Sequence, residues 1–588
     1  MLNLFQHLFT KNNFFIIEIL KHLPATLSLA RRAGVRDDKI KQSMNKTHES
    51  NLNKFLQTLE KGAVLDWSKK LVKEFPQAEV YLVGGAVRDA LLGVKDNKDF
   101  DFVVRHVPMK KLEEFLGRLG WVEKLGRNFG VLKFKPKKFI NDNNFEPLDI
   151  ALPRTEFSFN TGGYKDFKVK FDKKLALKED LLRRDFTINA VAVLIANKDG
   201  ILDFSRMTDK IIDPFCGLDD LKNKTIRAVG KPAERFGEDY SRILRAVRLS
   251  CQLNFKIEKK TFIAIKKLTP RLNDKNKKGD WIAPRETIAK ELLRAFYYQP
   301  VSALDLCDQL GIFKILMPEI LKMKKCPQPK NFHSEGDVWQ HTKLALNKIN
   351  SPQFRIFEKK VEKLLVISDK QPGKDFIKQR LELVFAIIFH DLGKPYTIET
   401  PAKDKVERIR FYEHDNVGAD LAKNICERLT FSAPEKYGIS PDNVSWLVRK
   451  HMMLIHGHPS EFRPTTIEKY FFSENYSGLN LIKLAYLDSL ATIPQTGKLE
   501  FDLIGALLKR IKSMRALLKE KQRLNALPKP LIDGTEIMHL LKISSGKRVG
   551  ELKEKLREAQ LLGKIKNKKE AQKYLIISNK QQETSDNN

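Results

Sequence analysis

Residues 82–104 read LVGGAVRDALLGVKDNKDFDFVV, and their order of apolar runs, glycines and carboxylates decides the fold of the first part of the chain. EVYLVGG (79–85) predicts a buried strand ending on Gly84-Gly85, and AVRDALLG (86–93) has helical spacing closed by Gly93. DFDFVV (99–104) alternates as a strand does, which sets Asp99 and Asp101 on one face. Two carboxylates so close cannot both stay ionised without a cation between them. Oxygen-only ligands favour Mg²⁺, which takes one or two carboxylates together with substrate phosphates. Gly84 and Gly85 let backbone amides approach a phosphate at the mouth of the helix, and Arg88, one turn in, adds a planar positive fork. The third carboxylate expected of a two-metal site is Asp149, on the strand PLDIALPR (147–154). Such a set suits phosphoryl or nucleotidyl transfer from a nucleoside triphosphate.

Composition narrows the setting. The length of 588 residues is enough for about four ordinary domains, and 42% hydrophobic with 31% charged residues describes a globular chain. A formal charge of +34 argues for a polyanionic partner, with nucleic acid ahead of membrane. Cys216, Cys251, Cys307, Cys326 and Cys426 are scattered with no Cys-X-X-Cys pair, which suits a reducing cytoplasm and gives no structural zinc site. No run reaches the roughly 18 apolar residues needed to span a bilayer. The expected organisation is an α/β head with a mixed sheet at 62–195, then all-α parts. These are a helical neck at 196–330, a histidine-rich block at 331–500 and a basic tail at 501–588 whose charge suits RNA. Residues 1–61 read as an extension, with 1–43 either a non-native start before Met44 or a disordered lead. The polar end NKQQETSDNN (579–588) reads as disordered.

Two helical regions carry further chemistry. In EDYSRILRAVRLSCQL (238–253), Arg242, Arg245 and Arg248 recur at i, i+3 and i+6, close to one helical face. Histidines concentrate in FHSEGDVWQHTKLAL (332–346), AIIFHDLGKPYT (386–397), FYEHDNVGADLA (411–422) and VRKHMMLIHGH (448–458). Adjacent His390-Asp391 with distant His341, His414 and His451 is ligand chemistry for a transition-metal or mixed di-metal site. Imidazole with carboxylate suits Mn, Fe, Ni or Co.

LVGGAVRD with KDFDFVV, LDIALPRTE, DLLRRDFTINAVA (180–192), DPFCGLDDL (213–221) and RAVGKPAERFGEDYSRILRAVRLSCQLNF (227–255) stand in a telling order and spacing. Over about residues 78–320 the chain resembles the bacterial tRNA nucleotidyltransferase and poly(A) polymerase family, class II, with a polymerase-β-like head. The resemblance implies that Gly85, Arg88 and Arg184 contact the triphosphate, that Asp99 and Asp101 hold the metals, and that Asp185 and Asn189 shape the site. EDYSR is similar to the family's base-reading motif, which assigns that role to Asp239 and Arg242, expects Arg245 and Arg248 on the same helical face aimed at the nucleotide, and gives the neck at 196–330 base recognition and RNA binding. A fixed carboxylate accepts from an exocyclic amine and a guanidinium donates to a ring nitrogen or carbonyl, so one pair could select both C and A. The implied activity is template-independent addition or repair of the 3′-terminal CCA of tRNA from CTP and ATP. A poly(A) polymerase is the rival, opposed by KLGRNFGVLKF (124–134) and by the histidine block. An enzyme adding only A or only the two Cs stays open, as does, in another class, an RNA-binding scaffold with inactive sites.

The histidine block resembles the HD phosphohydrolase domain. That resemblance implies a main metal cluster of His341, His390, Asp391 and Asp488 (in AYLDSLAT, 485–492), with His414 and His451 completing a second site. The implied reaction is attack of a metal-activated water on a phosphate ester.

Overall fold

The strands between residues 79 and 212 are β1 (Glu79–Val83), β2 (Asp101–Arg105), β3 (Gly120–Leu125), β4 (Val131–Pro136), β5 (Leu148–Ala151), β6 (Arg154–Ser158), β7 (Phe167–Phe171), β8 (Ala192–Asn197), β9 (Gly200–Ile201) and β10 (Ile211–Ile212). This computed structural model describes residues 38–94, 99–125, 130–163, 166–201, 210–365, 376–472, 476–522 and 529–586. The main sheet runs β10-β8-β1-β2-β5-β4-β3, with β9 on β8, while β6 pairs with β7 apart from it. β2 and β5 are parallel, and β1–β2, β1–β8, β3–β4 and β4–β5 are antiparallel. The mixed α/β head expected from the sequence is therefore present. β1 and β2 are apolar along nearly their whole length because both faces of the sheet are covered. On one face, Trp67 from the helix Asp66–Glu74 packs edge-on against Phe102, with ring centroids 5.3 Å apart, and against Phe134 at 6.3 Å.

The head is larger than the expected 62–195 at both ends. The helix Asp38–Lys61 lays Leu52, Leu56 and Leu59 into the core at helical spacing, and its Asn51 side chain donates to the Leu91 carbonyl at 3.3 Å. Met44 lies inside this helix, and the remainder of the expected extension, 1–37, lies outside the described residues. Downstream, β8, β9 and β10 extend the sheet beyond 195, and Thr187 Oγ1 donates to Asp220 Oδ2 at 2.7 Å in the helix Gly217–Lys222. Strands of two residues carry no periodic signal, so this edge could not be read from alternation.

The chain divides into two compact units, one running to Glu156 and resuming at Val169–Asn223, the other formed by Phe157–Lys168 and Lys224 onward. Within the second unit the helix Ser241–Leu253 packs on Arg285–Tyr298. The histidine block is built from Val338–Lys348, Phe376–Phe389, His414–Arg428, Pro441–Lys450 and Gly478–Ala491. The last helices, Gly534–Leu541, Lys547–Leu561 and Lys568–Asp586, enclose a small core of their own that includes Ile537, Leu552, Leu556 and Leu575. The polar end expected to be disordered is thus helical as far as Asp586. All five cysteines are free thiols, with Cys216 exposed and Cys251, Cys307, Cys326 and Cys426 buried. No described helix is long and apolar enough to cross a membrane.

Leu56 is fully buried by the sheet's neighbouring elements, upstream of every quoted motif. Leu56→Ala should cost about 2–5 kcal/mol by urea denaturation. A loss below about 0.5 kcal/mol, the range of surface changes, would show that this helix is not part of the head's core.

Candidate active sites

The first site is made by strand register. Asp101 opens β2 and faces Val83 on β1 and, across the parallel pair, Asp149 on β5. Asp99 precedes the strand and is exposed. Oxygens of Asp99, Asp101 and Asp149 all lie within 4.8 Å of one another. After Val83 the chain turns at Gly84, whose φ of +79° disfavours any side chain. A Cβ there would also stand 2.8 Å from an Arg184 Nη and 3.0 Å from Asp101 Oδ2. Gly84 is therefore the gap through which backbone, guanidinium and carboxylate meet.

The charges around this site are arranged to tolerate one another. Burial pushes the Asp101 carboxyl up to about 6, opposed by Arg184 and reinforced by the like charges of Asp99 and Asp149. Burial also raises Asp149, against the pull of Lys133, whose Nζ is 3.9 Å away. Arg88 is buried and held rigidly: Nε donates to Asp89 Oδ1 and Nη1 to Asn189 Oδ1, both at 2.7 Å. Asn189 Nδ2 in turn donates to Asp185 Oδ1 at 3.0 Å. The structure thus joins Arg88, Asn189 and Asp185 into one chain, and puts Arg184 against Gly84 and near Asp101. Three hard oxygen donors with excess negative charge fit a divalent cation of the Mg²⁺ type.

In the second unit, Asp239 Oδ1 accepts from the Ser241 backbone N–H at 2.8 Å and its hydroxyl at 2.6 Å. Asp239 Oδ2 lies 3.9 Å from Arg242 Nε, while Arg242 Nη1 donates to Glu238 Oε2 at 2.7 Å. These two side chains are neighbours at the start of the helix, with Arg245 a turn on. Arg248 departs from the expected face. It is buried, and its Nε donates to Glu291 Oε2 at 2.8 Å while Nη1 donates to Gln252 Oε1 at 2.7 Å. At about 100° per residue, i and i+6 are about 120° apart, which turns Arg248 into the neck core as a structural ion pair.

The histidine cluster is the third constellation. His390, His414 and His451 each donate from Nδ1 to the backbone carbonyl three residues earlier: Ile387 at 2.7 Å, Phe411 at 2.9 Å and Val448 at 2.6 Å. Each Nε2 lone pair is left pointing inward. His390 Nε2 is buried without a hydrogen-bond partner, 3.4 Å from Asp391 Oδ2. His414 and His451 Nε2 are 3.3 Å apart, and 3.7 and 3.8 Å from Asp391 Oδ1. Two imidazole lone pairs facing each other beside a carboxylate fit a bound cation, and nitrogen with oxygen donors fits a transition metal. Burial, then His390 and His414, lower His451 to about 3, so it stays neutral as a ligand must. Asp488 falls within this cluster, its Oδ1 2.9 Å from His341 Nε2 and 3.8 Å from His390 Nε2. Burial would lower His341, but Asp488 and Glu335 outweigh it and hold the ring at about 9.

The sequence reading does not include three residues found here. Glu335 Oε1 accepts from His333 Nδ1 at 2.7 Å and from His341 Nδ1 at 2.8 Å. Lys394 Nζ lies 2.7 Å from Asp391 Oδ2 and donates to Gln328 Oε1 at 2.8 Å. His333 and Glu335 stand in HSEGD and Lys394 three residues after Asp391, so the signal was proximity to the ligands in sequence.

Residues 80–227 match the poly A polymerase head domain family and residues 360–490 the HD domain family. The multifunctional CCA protein of Mannheimia succiniciproducens is 33% identical over 356 residues, which cover 60% of this chain and 70% of that one. That of Nitrosococcus oceani is 32% identical over 394 residues, or 66% of this chain and 78% of that one. Among solved structures, the CCA-adding enzyme of Bacillus stearothermophilus in complex with CTP superposes with a TM-score of 0.51 at 18% identity, covering 92% of this chain and 99% of that one. The Thermotoga maritima CCA-adding enzyme complexed with tRNA gives 0.50 at 21% identity, covering 90% and 98%. At these identities the structural likeness speaks for the fold.

Asp101 must lose its proton to bind a cation, and it does so near pH 6. Mg²⁺ affinity of the His390→Ala, Asp391→Ala protein should therefore fall roughly tenfold per unit as pH drops below about 6, and level off above it. Titration calorimetry across that range checks this, and an affinity independent of pH would remove Asp101 from the ligand set.

Proposed function

The chain belongs to the family of bacterial multifunctional CCA proteins, and from that premise we propose how its residues build or repair the 3′-terminal CCA of tRNA from CTP and ATP without a template. The observation that carries the reading is the carboxylate triad Asp99, Asp101 and Asp149, set by strand register beside Gly84 and Arg184. Mg²⁺ would be held by these three carboxylates, and when bound it supplies charge stabilisation at the reacting phosphate. The Gly84-Gly85 backbone and the guanidiniums of Arg88 and Arg184 receive the triphosphate. Arg88 does so as a pre-set fork, because Asp89 and Asn189 already fix its orientation. The RNA 3′-hydroxyl attacks the α-phosphate and pyrophosphate leaves. Asp239 and Arg242 choose the base, with Arg245 beside them.

The HD part carries a second, metal-dependent phosphohydrolase activity. A transition metal (Mn, Ni, Co or Fe) would be held by His341, His390, Asp391 and Asp488, with His414 and His451 available to a second ion. The neck at 196–330 and the tail at 501–588 supply positive charge for tRNA, and the chain works in the cytoplasm. A poly(A) polymerase is disfavoured, since the relatives aligned with 60–66% of this chain at 32–33% identity are named multifunctional CCA proteins. An A-only or CC-only enzyme is separated from the full activity by reading the 3′ sequence of the product made with all four nucleotides present.

Three variants test these assignments. Asp239→Ala with Arg242→Ala should still bind triphosphate yet lose preference for C and A over U and G in competition assays on tRNA lacking its 3′ end. Unchanged selectivity would remove the base-reading pair. His390→Ala with Asp391→Ala should abolish phosphoesterase activity toward a 2′,3′-cyclic phosphate and spare nucleotide addition, whereas Asp99→Ala should do the reverse. Loss of addition in a folded His390→Ala, Asp391→Ala protein would sink the independence of the two sites.

A further inference from the structure

Four histidines converge on the HD cluster, and three are oriented in the same way. His390, His414 and His451 each place Nδ1 on the carbonyl three residues earlier, so a backbone group fixes the ring and its tautomer. His341 does not. Its Nδ1 is bonded instead to Glu335 Oε1 at 2.8 Å, six residues earlier, and its Nε2 faces Asp488 Oδ1 at 2.9 Å. We infer that Glu335 is the positioning residue of this site, doing for His341 what a carbonyl does for the other three rings.

The inference rests on the metal-dependent phosphohydrolase reading of the HD part. A carboxylate can only accept, so Glu335 obliges His341 to keep a hydrogen on Nδ1, and Nε2, which faces Asp488 and Asp391, is left as the nitrogen that would exchange its proton for a cation. Glu335 is itself fixed. Its Oε2 accepts the Ile493 N–H at 3.0 Å, just past the helix that carries Asp488, so one side chain ties the His341 segment to the Asp488 segment. Being charged, it also makes His341 a stronger electron donor than a carbonyl would. His333 shares the same oxygen at 2.7 Å, yet none of its contacts reaches Asp391 or Asp488. It competes with His341 for Glu335.

The test uses the full chain with Mg²⁺ in excess, which favours the oxygen-only head site, and Co²⁺ as the probe of the imidazole site. Affinity and the visible absorption of bound Co²⁺ are measured for wild type, Glu335→Ala, Glu335→Gln and His333→Ala. Glu335→Ala should weaken Co²⁺ binding about 10- to 100-fold and alter the spectrum. Glu335→Gln should fall between, since its amide oxygen still accepts from Nδ1 but carries no charge. His333→Ala should stay within about twofold of wild type, and nucleotide addition should be unchanged in all three. If Glu335→Ala does not fold, Glu335→Gln carries the test alone. Wild-type Co²⁺ affinity in the folded Glu335 variants would overturn the inference. So would a loss in His333→Ala equal to that in Glu335→Ala, because the pair would then only brace the loop. If wild type itself binds no Co²⁺, the phosphohydrolase reading fails and takes this inference with it.

Discussion

Parallel pairing of β2 with β5 sets Asp101 opposite Asp149, so two like charges face each other on neighbouring strands. Opposed carboxylates destabilise a sheet, and this one is organised to bear them. Lys133 stands across from Asp149 on β4, and Arg184 leans on Asp101 through the space that Gly84 leaves open. The apolar strands beside them, covered on both faces, prevent the sheet from relieving the repulsion by slipping register, because a one-residue slip would turn every packed side chain to the opposite face and break the packing on both. What remains is a site whose charge is completed by a cation and a triphosphate.

The HD part reaches a comparable density of candidate ligands by a different device. No strand register is involved. Three of the four rings, His390, His414 and His451, are set by hydrogen bonds to carbonyls in the preceding turn, so their orientation is encoded within three residues of each histidine. Local encoding lets ligands come from helices far apart in sequence, provided packing brings the turns together. Asp391 lies between the His341 and His390 group and the His414 and His451 group and belongs to both. Lys394 neutralises its second oxygen.

Much of this was legible from the sequence because the chemistry is clustered there. The glycine pair and the Asp-X-Asp stand at the ends of apolar elements with clear periodicity, Asp149 lies on another, and adjacent His390-Asp391 marks itself. Asp488, placed by the HD resemblance alone, sits within hydrogen-bond distance of His341. The failures have physical causes. Arg248 looked like its neighbours because a spacing of three approximates one face over a single step but not over two. The short strands β9 and β10 are held by partners, not by pattern. Glu335 was invisible as a functional residue, since a carboxylate that acts through another side chain has no motif until the partner's orientation is known.

The cysteines add a practical dimension to the two-unit architecture. Cys216 is the exposed thiol and lies in the first unit, while the other four are buried in the second. Burial pushes Cys251 up to about 12 and Cys326 to about 11, which removes the reactive thiolate as well as access to it. A maleimide pulse on the native protein therefore attaches one adduct, and intact-mass spectrometry of later pulses counts the rest as the second unit opens. The chain carries its own stopwatch for unfolding, with a fluorophore attachment point on the head and no engineered cysteine required.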